Sequence, residues 1–254
     1  MRASIFISFF CFVTFGETCL RGMKEDVQDQ AESKYQPFYL IIALGSPYDD
    51  ARRTETFKWQ NEDNSTCKHP DYSTNIPGSV PVSIRGTDYF CGGYPYKAQC
   101  FNILTGDEAP FSLLRKRAHA SSATTNDTVI IFGGNDPNDL ASYETISTDY
   151  VQSEGVLPFR WQYGCSTLIN STTILLAGGL QNGTLSSKTW FFNFKTKEWA
   201  KGPSMSEERS GFGCGLIRSI NSVAVFGSVN IATTEIVKLP GGSFKKGNHQ
   251  FLLD

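Results

Sequence analysis

Ile169–Met205 reads INSTTILLAGGLQNGTLSSKTWFFNFKTKEWAKGPSM. A polar turn opens it, an apolar run stops on Gly178-Gly179, a second polar turn follows, and an aromatic-rich segment leads to Trp199. The extended runs are short, rich in Thr, Ile, Leu and Phe, and bounded by Gly, Asn and Pro. That pattern predicts strands, since helices of a globular protein need longer periodic stretches.

The same pattern recurs along the chain. Glycine closes an apolar run at Gly45, Gly92, Gly133, Gly178 and Gly227, at intervals of 47, 41, 45 and 49 residues. An arginine precedes the last three at 16, 18 and 18 residues upstream (Arg117, Arg160 and Arg209), and small residues stand 13 residues upstream at Ser79, Ala120, Cys165 and Cys214. A second extended segment follows each glycine: TETFKW, CFNI, YETIS, TWFFNF and TTEIVKL. Five units of about 45 residues with three or four strands each predict an all-β repeat fold. One such unit cannot bury both faces by itself, so it stacks on its copies, and curved stacking closes into a ring.

The apolar run ending in Gly-Gly, the aromatic some ten residues on and the Trp beyond it resemble the kelch repeat of β-propellers, over roughly residues 38 to 250. More narrowly, TCKHPDYS followed by YFCGGY and AQCF is similar to secreted kelch-type proteins of arthropods. The resemblance implies a propeller of about five four-stranded blades, with the glycine pair ending each second strand where a Cβ would obstruct the backbone. It also implies a binding face built from the loops between second and third strands and between blades: Tyr94, Tyr96, Arg117, Asp136, Asp139, Arg160, Trp161 and Arg209. The arginines could equally be structural. The first and fifth units carry Gly-Ser in place of Gly-Gly, and Phe111 and Phe244 occupy the place of Trp199 in theirs. The first unit lacks an inner strand; either Gln250–Leu253 supplies it, or the propeller is incomplete.

The chain begins with one Arg and eleven uncharged, mostly apolar residues from Ile5 to Phe15, then Gly16. This is the layout of a secretory signal peptide over residues 1–16, too short to span a bilayer. The expected organisation is therefore a signal peptide, a polar segment 17–37 and a propeller 38–254, with no membrane span. Sequons at Asn64, Asn126, Asn170 and Asn182 agree with export, Asn126 and Asn170 each standing just before an apolar run. With 23 Lys+Arg against 25 Asp+Glu, a net charge of -2 offers no basic surplus for nucleic acid.

Of the six cysteines after Gly16, Cys91 ends a second strand and Cys100 begins a third, which predicts a bridge within a hairpin. Cys165 and Cys214 read as equivalent positions of neighbouring blades about 10 Å apart, too far for a disulfide, so small buried residues are expected there. Cys19 and Cys67 remain. His69, His119 and His249 lack metal-ligand spacing, and no nucleophile or phosphate-binding motif is present. No cofactor or metal is expected. Glu55, Glu144 and Glu235 recur after the glycines and could serve a propeller glycosidase, with an oxidase the other enzymatic alternative; the plainer reading puts them on a solvent-facing strand position. The sequence reading is thus a secreted, non-catalytic scaffold for an extracellular protein or glycan.

Overall fold

The computed structural model describes residues 39–43, 54–58, 77–103, 105–135, 141–228, 231 and 233–246, the first two stretches as backbone strands alone. Residues 1–37, Cys19, Asn64, Cys67, His69, Asp136, Asp139, His249 and Gln250–Leu253 lie outside the described residues. Strands β1 (Tyr39–Ala43) and β2 (Thr54–Lys58) pair antiparallel.

Four four-stranded antiparallel sheets follow, each a simple meander. The first is β3 (Val80–Ile84), β4 (Thr87–Cys91), β5 (Gln99–Asn102) and β6 (Glu108–Ser112). The second is β7 (Ser121–Thr124), β8 (Thr128–Phe132), β9 (Ser142–Ser147) and β10 (Gln152–Val156). After the short β11 (Trp161–Gln162), the third sheet comprises β12 (Cys165–Leu168), β13 (Thr173–Ala177), β16 (Thr189–Asn193) and β17 (Glu198–Lys201). Between its middle strands, β14 (Leu180–Gln181) and β15 (Thr184–Leu185) form a hairpin that pairs with β11. The fourth sheet is β18 (Gly213–Ile217), β19 (Ser222–Phe226), β20 (Thr234–Lys238) and β21 (Lys245–Lys246). Among the described residues the only helical turn is the 3-10 segment Arg218–Ile220.

The core lies between sheets. Along β8, Val129 and Ile131 pack toward the preceding sheet with Val80, Val82 and Ile84, while Ile130 and Phe132 pack toward the following one with Ile174, Leu176 and Phe192. A third cluster joins Leu175 and Ala177 to Val223, Val225 and Phe244. Second strands buried on both faces must be continuously apolar, which is why TVIIF and TILLA show no polar alternation. Pro81 and Pro110 sit in β3 and β6, the edge strands of their sheet, where a missing N–H breaks no central ladder. Trp199 on β17 stacks on Phe192 with centroids 4.4 Å apart, and Phe111 on β6 meets Tyr89 at 5.0 Å, so the phenylalanine does occupy the outer strand of its unit.

Cys91 and Cys100 are opposite one another on β4 and β5 and form a disulfide, as expected. The expectation for the other pair is overturned: Cys165 and Cys214 are bridged, with Cα atoms 5.9 Å apart. Counting 13 residues back from the glycines misaligns these strands, because the first turns differ in length. Cys165 pairs with Ala177, one residue before Gly178, whereas Cys214 pairs with Val225, two before Gly227. A one-residue offset turns a strand side chain to the opposite face. Cys165 therefore faces the fourth sheet and Cys214 faces back to meet it. At this point the inner strands also approach more closely than the roughly 10 Å expected of flat stacked sheets, with the two Cα atoms 5.9 Å apart.

Candidate functional site

In a meander, turns between first and second strands share one end with those between third and fourth. The loops between second and third strands share the other end with the connections between sheets. At this second end the glycine pairs make a repeated double socket. The N–H groups of Gly93, Gly134 and Gly179 donate, each at 2.7 Å, to the carbonyls of Arg117, Trp161 and Arg209, which lead into the next sheet. In turn the side chains of Arg117, Trp161 and Arg209 donate to the carbonyls of Gly133, Gly178 and Gly227 at 2.6, 2.7 and 2.7 Å. A Cβ on Gly133 would overlap the Trp161 carbonyl, and its φ is +60°.

The equivalent buried donors are thus Arg117, Trp161 and Arg209. Arg160 is displaced by its neighbour: it is exposed, and its backbone N–H donates to Asn182 Oδ1 at 3.0 Å. Arg117, Trp161 and Arg209 are essentially inaccessible to water, so these three of the expected binding residues hold the fold together and do not present a surface.

The recurring glutamates complete the same device. Arg117 Nε donates to Glu144 at 3.1 Å, and Glu144 also accepts the N–H groups of Leu114 and Arg115, each at 3.3 Å. Arg209 Nη2 donates to Glu235 at 3.1 Å, and Glu235 accepts the Ser206 N–H at 2.7 Å. Both carboxylates are fully buried, which corrects the solvent-facing reading of this strand position. Burial pushes Glu144 up and Arg117 down, while the charge of each pulls the other back toward the ionised form. In the third sheet the position of Glu144 is taken by Trp190, opposite Leu176, so arginine and glutamate are replaced together by two tryptophans.

A second chain of contacts runs along the ends of the inner strands. His119 N–H donates to Gly78 O at 2.7 Å, Tyr163 N–H to His119 O at 3.0 Å and Gly211 N–H to Tyr163 O at 2.8 Å. All four residues have φ between 57° and 70°. The His119 ring fills the space left by Gly78, whose Cβ would stand 2.5 Å from it, and stacks on Tyr163 at 4.2 Å. Burial lowers the His119 pKa to about 4, so the imidazole is neutral at physiological pH. Burial, and then neighbouring Tyr96, push the Tyr163 hydroxyl upward.

Tyr94 and Tyr96 adjoin this pair. Their rings meet edge to face at 5.5 Å, and Tyr94 is 46% exposed. The loop that carries them is fixed by Tyr94 N–H to Pro77 O at 2.7 Å, Lys97 N–H to Gly93 O at 2.9 Å and Gly92 N–H to Gln99 O at 2.9 Å. Of the expected residues, the structure brings Tyr94 and Tyr96 together and adds His119 and Tyr163. The signal for those two was their shared place just before successive inner strands, 44 residues apart.

Asn126 and Asn170 are exposed in first turns of consecutive sheets, at the opposite end from this aromatic cluster. Asn182 and Gly183 form the two-residue turn of the β14–β15 hairpin, on the same end as the cluster.

Four-stranded meanders that bury a core between consecutive sheets define a β-propeller. Within that class, the kelch motif family matches residues 161–206, the span from the buried Trp161 through both strand pairs of the third sheet. This match supports a kelch-repeat protein, and with it a protein-interaction scaffold in general terms. No curated protein sequence matches the chain significantly. Among the described residues no helix is long and apolar enough to cross a membrane.

Proposed function

We propose that this chain is a secreted, N-glycosylated, non-catalytic kelch scaffold, of the kind its arthropod-like cysteine and glycine motifs suggest, that binds an extracellular protein. The observation that carries the reading is the cluster of Tyr94, Tyr96, His119 and Tyr163, contributed by three consecutive units on hydrogen-bonded backbone. Aromatic side chains with few rotatable bonds, held in place before binding, give contact area at low entropic cost and dominate many protein interfaces. Arg160 borders this end, exposed beside Asn182.

A glycosidase built on the recurring glutamates is disfavoured, since Glu144 and Glu235 are committed to Arg117, Arg209 and backbone amides, with no approach for a sugar. Glycans on Asn126 and Asn170 would leave the aromatic end uncovered.

The test uses the purified chain as bait in extracellular fluid, beside a Tyr94→Ala/Tyr96→Ala variant that melts at the same temperature. A protein retained by the native chain and lost by the variant is expected. Equal capture by both, or capture of nothing, would refute the assignment of this face.

A further inference from the structure

At two of the junctions between inner strands, the residue opposite the last apolar position of one sheet meets a residue offset by one on the next. Between β7 and β12 these are Ser121 and Ser166, whose hydroxyls are 2.8 Å apart, with the Ser166 N–H donating to Ser121 Oγ at 2.9 Å. Between β3 and β7, Ser122 donates from its hydroxyl to Pro81 O. Between β12 and β18 the corresponding residues are Cys165 and Cys214, and the contact is covalent. Among the described residues this is the one covalent bond joining two sheets.

The two bridges differ in access. Cys91 and Cys100 are fully buried within one sheet, between two paired strands, whereas Cys165 and Cys214 are only half-buried. Thiol–disulfide exchange requires a thiolate to reach a sulfur, so access decides which bond reacts first.

We propose that Cys165–Cys214 is a reducible clasp on the fourth sheet. A thiolate of a small-molecule thiol attacks one sulfur, forming a mixed disulfide and releasing the other cysteine as thiolate. A second reductant thiolate then attacks the sulfur of the bound reductant and releases the remaining cysteine, so that two reductant thiols become one disulfide and their two protons reside on Cys165 and Cys214. Once the clasp opens, the fourth sheet is held by its apolar cluster, by backbone bonds at the glycine end (Gly211 N–H to Tyr163 O at 2.8 Å, Gly179 N–H to Arg209 O at 2.7 Å and Arg209 N–H to Ser186 O at 3.3 Å) and by the Arg209 side chain, which donates to Gly227 O and Glu235. Tyr163 is two residues from Cys165, so the state of the clasp reaches the aromatic cluster directly.

The full chain, bridges intact, is titrated under native conditions with mixtures of reduced and oxidised glutathione, quenched with iodoacetamide and mapped by mass spectrometry, with hydrogen exchange followed in parallel. Cys165 and Cys214 should be alkylated while Cys91–Cys100 stays bridged. Exchange over residues 213–246 should then rise about tenfold or more relative to 80–102. A Cys165→Ser/Cys214→Ser variant should show the same exchange pattern without reductant; if it fails to fold, the native-chain titration still decides. Simultaneous reduction of both bridges, or unchanged exchange after the clasp is reduced, would overturn the proposal. Neither readout involves a binding partner, so this result stands apart from that of the capture experiment.

Discussion

Arg117 and Glu144 are held away from water together, and the pair is stable only as a pair. Removing one partner of a buried ion pair strands the other and costs about 3–5 kcal/mol, whereas apolar replacement of both is far milder. Glu144→Ala should therefore lower the urea midpoint severely at unchanged m, and Arg117→Met/Glu144→Met should recover much of the loss. His119 sets a pH dependence of definite sign. Its folded pKa of about 4 lies below the ordinary 6.5, so the unfolded chain takes up the proton first as pH falls. Stability present above pH 6.5 is lost down to about pH 4 and then levels, by at most roughly 3 kcal/mol. His119→Phe, which keeps a ring against Tyr163, should show a flatter stability profile across that window in denaturant titrations.

At the scale of elements, the glycine pair is a joint that serves two sheets. Gly133→Ala would force φ +60° on a residue with a Cβ and drive it into the Trp161 carbonyl, breaking the bond to Gly134. Gly183 also has positive φ, +80°, but nothing lies within 4 Å of its missing Cβ. Gly183→Ala should cost only about 1–2 kcal/mol, and Gly133→Ala distinctly more, a contrast that thermal melts of the two variants will read. The clasp is transferable as well. Ser121→Cys/Ser166→Cys places thiols at the counterpart of Cys165 and Cys214, one junction earlier. A bridge between positions 121 and 166, absent from the native chain, should therefore appear in non-reducing peptide maps of this variant and raise the melting temperature.

For the whole molecule, expression through a secretory pathway should yield an exported product carrying glycans at Asn126 and Asn170. Glycosidase treatment should shift its mass, and Asn126→Gln/Asn170→Gln should abolish most of that shift. The repeat period, the strand content and the glycine joints were legible in sequence because each depends on local pattern: apolar runs buried on both faces, and a backbone turn that only glycine permits. The hairpin bridge Cys91–Cys100 was legible for the same reason, as its partners are neighbours along one meander. Three features were not. That Trp161 rather than Arg160 fills the buried donor position shows only when the Gly178 and Gly134 bonds are traced between sheets. That the recurring arginines and glutamates neutralise each other depends on a contact spanning 26 or 27 residues, invisible to spacing alone. The Cys165–Cys214 bridge was excluded by a count that ignored turn length. Strand register, fixed by packing against the neighbouring sheet, decides which face a side chain takes, and that decision belongs to tertiary structure.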